Sequence, residues 1–245
     1  MQTMIPFTPV VKVLVIICAV VWLFGQLIID RFFLSGQFFA NYFALVPNLV
    51  LQKFYIWQLF TYAFLHTSSP FHIILNLLAL WWLGSELEQR WGAKFFITYY
   101  LVCAIGAAFL YVSIVLVYAL TGGSVTVLLT PVMGASGAIF GLMLAYGMLF
   151  GERVVHFMMM FPMKAKYFVM ILGGIEMVNL LNTGVGGSEV ASLAHLGGLA
   201  SGYLFLLLNK KLQQKKWREK SSTKTSKLKL VINNEKKKEG PKYWN

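Results

Sequence analysis

The sequence predicts an all-α membrane protein, a bundle of six transmembrane helices with the N- and C-termini both cytoplasmic. Three observations carry that expectation. Of the 245 residues, 58% are apolar and only 12% are charged. The mean hydropathy of +0.68, with 16% aromatic residues, suits lipid rather than water as the solvent. Six apolar runs have roughly the 20-residue length that a spanning helix needs. Water-soluble enzyme folds and disulfide-stapled secreted scaffolds are thereby excluded. Cys18 and Cys103 each sit inside an apolar run, where a thiol is a small hydrophobe and implies no bridge.

The first run, 11–29, has Lys12 ahead of its apolar core as a signal peptide would. No small-x-small cleavage site follows before Asp30 and Arg31, so it reads as a helix. Residues 30–69 form a segment too long for a simple connector, rich in Phe, Tyr and Leu and carrying Trp57. Aromatic rings with a polar edge place it in the headgroup region. The remaining spans are expected at 70–89, 95–119, 133–150, 165–182 and 189–209.

Loop charge sets the orientation. With the N-terminus inside, the inner segments hold Lys12, then Arg90 and Lys94, then Arg153, Lys164 and Lys166, then the whole C-terminal end. The outer segments hold Arg31 and Lys53, and no base around 120–132 or 183–188. The net charge of +12 is equally localised: from Lys210 onward there are 13 Lys and Arg against 3 Glu, whereas residues 1–209 hold 8 bases and 6 acids. It is therefore no nucleic-acid footprint. The composition break divides the chain into a membrane domain, 1–209, and a basic, disordered cytoplasmic tail, 210–245. That tail, with Trp217, Lys236, Lys237, Lys238 and Trp244, reads first as a solvated stop-transfer flank and second as a contact for anionic lipid.

Polar side chains inside a span cost free energy unless paired, so each is a functional candidate. They are His72 and Asn76 in the second span, Ser136 in the fourth, Glu176 and Asn179 in the fifth and His195 in the sixth. Spans two, four and six all run from outside to inside, so their N-terminal ends share one membrane level. At 1.5 Å per residue, His195 lies ~9 Å below the outer edge of a ~30 Å core. Ser136 is about one turn into its span, and His72 and Asn76, four apart, share a helix face at that depth. Gly134, Gly137 and Gly141 around Ser136, and Gly198 and Gly202 after His195, form small-x-x-x-small patterns that let helices four and six touch. A Ser hydroxyl in reach of an imidazole is the minimum equipment for nucleophilic catalysis.

Gly134-Ala135-Ser136-Gly137, Ala194-His195-Leu196-Gly197-Gly198 with Gly202, and His72-Ile73-Ile74-Leu75-Asn76 together resemble the rhomboid family of intramembrane serine proteases. Glu88-Gln89-Arg90-Trp91-Gly92 resembles the family's Glu-x-Arg-x-Gly, and His66 fits as well; the likeness covers about Trp57 to Tyr203. It implies Ser136 as nucleophile, His195 as general base, and His72 and Asn76 as oxyanion donors with the Ser136 N–H. Phe140 stands where many members have a Tyr stacked on the histidine, and Trp57-Gln58 where the family has Trp-Arg, which removes the usual loop salt bridge.

Other intramembrane chemistries fall by counting. Asp30 is the only aspartate, which excludes a diaspartyl site and any Ser-His-Asp triad, and the absence of His-Glu-x-x-His excludes the zinc type. Glu176 is expected to be protonated or bonded to Asn179 or a backbone group, with a third place beside Ser136 and His195 as the alternative reading. A catalytically inactive relative that only holds membrane clients would lack Ser136 or His195, and a small transporter would need polar groups through the full depth. The expected activity is cleavage of single-span transmembrane proteins near the outer face, with no cofactor and no metal. The compact six-span form, without a seventh helix or an Arg-rich transit peptide, points to a bacterial inner membrane.

Overall fold

The computed structural model describes residues 6–34, 36–157, 161–185 and 190–225. It is predominantly helical, and a helix stands at each of the six expected places: α1 Pro9–Phe33, α5 Pro70–Trp91, α6 Ala93–Leu120, α7 Ser136–Leu149, α8 Ala165–Thr183 and α9 Val190–Thr225. Four of these, α1, α5, α6 and α9, are long and apolar enough to cross a membrane. Helix α7 has only 14 residues, about 21 Å of rise. It starts at Ser136 and not at 133 because Gly134 takes a φ of +131°, which no helix accommodates. Helix α8 has 19 residues, but Lys166, Glu176, Asn179 and Asn182 lower its apolarity.

The all-α expectation needs one correction. Val154–Phe157 (β1) and Phe161–Lys164 (β2) pair antiparallel between α7 and α8, with Val155 opposite Met163. Pairing of this β-branched and aromatic stretch satisfies its backbone, with Val155 buried. Lys164 and Lys166 at its foot both bond Glu152, and these hydrogen bonds hold that carboxyl down at about 2. Arg153 pairs with Glu86 near the C-terminal end of α5.

The long segment before α5 is built from short helices: α2 Phe38–Phe43, α3 Pro47–Lys53 and α4 Gln58–Thr61, the last continued by a 3₁₀ turn, Tyr62–Phe64. Two buried polar side chains organise it. Asp30 accepts from the Phe38 and Phe39 N–H groups, at 2.9 and 3.2 Å, satisfying donors that open α2. Gln58 is fully buried; it accepts from Val46 N–H at 3.0 Å and donates to the Asn41 and Tyr42 carbonyls. An Arg could not make the first of those bonds, because a guanidinium has no acceptor. The loop salt bridge that the sequence lacks is thus replaced by a neutral amide satisfied at both ends.

Two further ties join distant parts of the chain. Leu45 and Val132 exchange both backbone hydrogen bonds at 2.9 Å, linking the long segment to the residues just ahead of α7. Glu88 accepts from Thr8 Oγ1 and from the Val10 and Val11 N–H groups, capping α1 from the C-terminal end of α5. The core is aromatic and small-residue rich, with Tyr62, Tyr99, Tyr100, Tyr111 and Tyr146 buried around Ala104, Ala107 and Ala108.

The chain divides into two compact units, residues 1–205 and 206–245. Of the second, described residues are helical through Thr225 and not only to 209. The expected lipid contact at Lys236, Lys237, Lys238 and Trp244 lies outside the described residues.

Candidate active site

Ser136 is the first residue of α7. Its position is set by Gly134, whose N–H donates to the Tyr62 carbonyl at 3.0 Å while the Tyr62 hydroxyl donates to the Ala104 carbonyl at 2.8 Å. The first N–H groups of a helix have no partner within it, so those beginning at Ser136 are left to whatever occupies the space in front. His195, on α9, places Nε2 2.7 Å from Ser136 Oγ. Its ring lies flat on Phe140, one turn beyond Ser136, with centroids 4.3 Å apart and planes 11° from parallel. A phenyl face suffices to fix the imidazole plane; the missing hydroxyl takes nothing from that contact.

Helices α7 and α9 can approach this closely because neither has a side chain at the crossing. A Cβ on Gly198 would collide with the Gly137 carbonyl, and one on Gly137 would stand 2.9 Å from Ala107 Cβ and 3.3 Å from the Ala194 carbonyl. Gly202 leaves room in the same way for the Tyr99 hydroxyl, which donates to the Gly141 carbonyl at 2.8 Å.

From α5, His72 faces the same space. The Thr67 N–H donates to its Nδ1 at 3.3 Å, and Thr67 Oγ1 is 3.0 Å from the same atom. A backbone N–H can only donate, so Nδ1 is the acceptor and the ring proton sits on Nε2. That nitrogen points toward Gly134, within 3.2 Å of where a Cβ would stand. Asn76 donates through Nδ2 to the His72 carbonyl at 2.8 Å, and its Oδ1 is buried without a hydrogen-bond partner.

Thr67 is held in turn by α1. Trp22 Nε1 donates to the Thr67 carbonyl at 2.9 Å, and the Gln26 amide bonds both the N–H and the carbonyl of His66, at 3.0 and 2.9 Å. His66 is buried, its ring centroid 5.4 Å from that of His72. Burial, and next the neighbouring His72, push its imidazole down to about 4, so it is neutral at physiological pH.

These groups line one cavity of about 630 Å³, bounded by His72, Asn76, Gly134, Ser136 and His195 and closed by apolar walls including Leu75, Val132 and Met133. It can hold an acyl group beside a paired hydroxyl and imidazole, with a neutral N–H donor opposite. Among the described residues, no three His, Cys, Asp or Glu side chains come close enough to hold a metal ion.

The structure thus gathers Ser136, His195, His72 and Asn76 from three helices at one cavity, with Gly137, Gly198 and Gly202 at the helix crossing behind it. Sequence reading passed over Thr67, Tyr62, Trp22 and Gln26, which act through backbone contacts that leave no motif. For Glu176 the geometry sides with the alternative reading, a group beside His195. The Glu176 carboxylate is not bonded to Asn179; Oε1 lies 3.0 Å from Nδ1 of His195, with both side chains about 15% exposed. The signal in the sequence was a carboxylate inside an apolar run; spacing alone did not choose between His195 and Asn179 as its partner.

The Rhomboid domain family matches residues 53–211. Among relatives, the chain is 32% identical over 162 residues to RHOMBOID-like protein 1 of Arabidopsis thaliana, covering 66% of this chain and 36% of that protein. It is 30% identical over 219 residues to the rhomboid YdcA of Bacillus subtilis, covering 86% and 94%. Against the rhomboid protease GlpG of Serratia proteamaculans it is 29% identical over 190 residues, covering 77% and 58%. The chain therefore spans about a third of the plant relative, just over half of the Serratia one and nearly all of the Bacillus one.

Proposed function

Since the chain belongs to the rhomboid family and is an integral, multi-pass membrane protein, we propose that it is a serine endopeptidase that cuts transmembrane protein substrates within the bilayer. The observation that carries this reading is the 2.7 Å contact between Ser136 Oγ and His195 Nε2 at a cavity with donors on its far wall.

The chemistry follows from those atoms. Ser136 Oγ attacks the scissile carbonyl carbon as its proton passes to His195 Nε2. The oxyanion so formed is stabilised by Nε2–H of His72, by the amide of Asn76 and by the Ser136 N–H at the start of α7, where the helix dipole adds partial positive charge. Collapse of the intermediate breaks the C–N bond; the leaving amine takes the proton from Nε2, and an ester to Ser136 remains. Water then gives a proton to Nε2 and its oxygen to the ester carbon, and the acid leaves as Ser136 recovers its proton. Nothing in the sequence asks for a cofactor.

The arrangement in the membrane belongs to the same proposal. All six long helices cross, with α7 and α8 as the short and polar members, and both termini lie in the cytoplasm on the distribution of Lys and Arg. That orientation puts Ser136 in the outer half of the bilayer, so cleavage of single-span clients falls near the outer face. Residues 1–209 make up the protease domain and 210–245 a basic cytoplasmic tail suited to anionic lipid. The membrane is a bacterial inner membrane, in keeping with the Bacillus and Serratia relatives.

The test is covalent labelling by a fluorophosphonate in detergent, with cleavage of a reconstituted single-span substrate measured alongside. Wild-type protein should label on Ser136 and cut; Ser136→Ala and His195→Ala should do neither. A wild-type protein that is folded and inert toward both would overturn the reading.

A further inference from the structure

We propose that Glu176 is a positioning residue for His195, so that the working unit is Ser136-His195-Glu176 with the acid supplied from α8. The inference rests on the protease reading and goes beyond the Ser-His pair. The carboxylate Oε1 stands 3.0 Å from Nδ1, on the side of the ring opposite Ser136. As the side chains stand, the N–H···O line is too bent for a hydrogen bond, and Nδ1 has no hydrogen-bond partner. Nδ1 is thus a buried donor with one acceptor in reach. Catalytic hydrogen bonds are commonly misaligned in the free enzyme and tighten with substrate.

Two features show that the pairing is more than proximity. Between Tyr167 and Thr183, α8 contains no Lys or Arg, so the carboxylate has no basic partner on its own helix, and Ser192 and His195 face it from α9. A carboxylate at membrane depth is costly to keep without a donor or a cation. The His195 ring, meanwhile, is held flat against Phe140 with Nε2 on Ser136, so Nδ1 cannot leave α8 without giving up that stack or turning Nε2 away from the serine.

The consequence is chemical. With Nδ1–H directed at Glu176, the lone pair is on Nε2, the nitrogen that faces Ser136, which is the tautomer a general base needs. When Ser136 Oγ attacks, its proton moves to Nε2, the Nδ1 proton stays on the ring, and the imidazolium charge forms against the carboxylate. Glu176 is not itself protonated in the step. Because the acid is carried by α8, the set of the base depends on where that helix stands, and a displacement of α8 would disconnect the acid while leaving Ser136 and His195 together on α7 and α9.

The experiment compares wild-type protein with Glu176→Gln and Glu176→Leu in detergent, measuring kcat and KM for a single-span substrate, the rate of fluorophosphonate labelling at Ser136, the melting temperature, and the ¹⁵N shifts of the histidine rings. Both variants should lose at least about tenfold in kcat and in labelling rate, with KM within about twofold. The ¹⁵N spectrum of His195 should change from an Nδ1–H ring to a mixture of tautomers. Gln preserves the shape of Glu, so it decides the matter if the Leu variant does not fold. Values of kcat within about twofold of wild type in the folded Gln variant, or an unchanged His195 spectrum, would overturn the proposal. The protease reading would survive that result; it falls only if the wild-type protein neither cleaves nor labels.

Discussion

Gly198→Ala is the sharpest test of how the helix crossing serves the chemistry. A methyl at 198 would collide with the Gly137 carbonyl, which belongs to the residue after Ser136. His195 is one turn before Gly198 on α9, so any separation that makes room for the methyl acts directly on the Ser136–His195 pair. Reaching ordinary van der Waals contact needs the two backbones to part by on the order of 1 Å. The Oγ–Nε2 distance starts at 2.7 Å, and a hydrogen bond is lost near 3.5 Å. A misplacement of that size costs about 10²-fold in rate, or about 2.7 kcal/mol of barrier, and overpacking costs roughly 1–3 kcal/mol of stability. The assay is the second-order rate of fluorophosphonate labelling at Ser136, with cleavage and melting temperature on the same preparation. Gly173→Ala on α8 is the control, since its methyl would meet only Leu199 Cδ1 at 3.5 Å, and it should label at the wild-type rate. Labelling of Gly198→Ala within threefold of wild type would refute the argument that glycine at this crossing sets the distance between nucleophile and base.

The same geometry sets other expectations. His72→Ala and Asn76→Ala should each lower kcat by about 10²–10³ with little change in KM; an unaltered kcat in a destabilised Asn76→Ala protein would remove that residue from the site. Gln58→Ala leaves the Val46 N–H and the Asn41 carbonyl without partners, the Tyr42 carbonyl keeping Trp57 Nε1, and should lower stability by about 2–4 kcal/mol while the folded fraction still labels on Ser136; an unchanged melting temperature would contradict it. His66 stays neutral in the folded protein down to about 4, whereas the unfolded chain takes up a proton near 6.5, so stability present above that pH is lost as pH falls between the two values, at up to about 1.4 kcal/mol per unit. Comparison with His66→Gln should give a flatter melting curve against pH, and parallel curves would refute it. A reporter fused after Asn245 should be cytoplasmic, and cysteines at Gly122 to Ser124 should react only from outside; inside labelling would reverse the orientation.

Composition and apolar periodicity by themselves determined that this is a helical membrane protein, because lipid offers no partner to a backbone polar group and leaves the helix as the simplest way to satisfy it. They also placed the starts of the six helices to within a few residues and singled out Ser136, His195, His72 and Asn76, since an ionisable or polar side chain in a span stands out against its surroundings. Short-range rules failed where the backbone does something a span does not: Gly134 at φ +131° delays α7 to Ser136, and the 154–164 stretch pairs with itself. What only the tertiary structure decided is which polar groups face one another. The tautomer of His72 depends on Thr67, which depends on Trp22 and Gln26 some 40 residues away on α1. The partner of Glu176 is 19 positions on, across a loop, with Asn179 the nearer candidate by sequence. Spacing on one helix constrains the face a side chain takes, whereas its partner on another helix depends on how closely the two backbones can approach, and that distance is set by the side chains absent from Gly137 and Gly198.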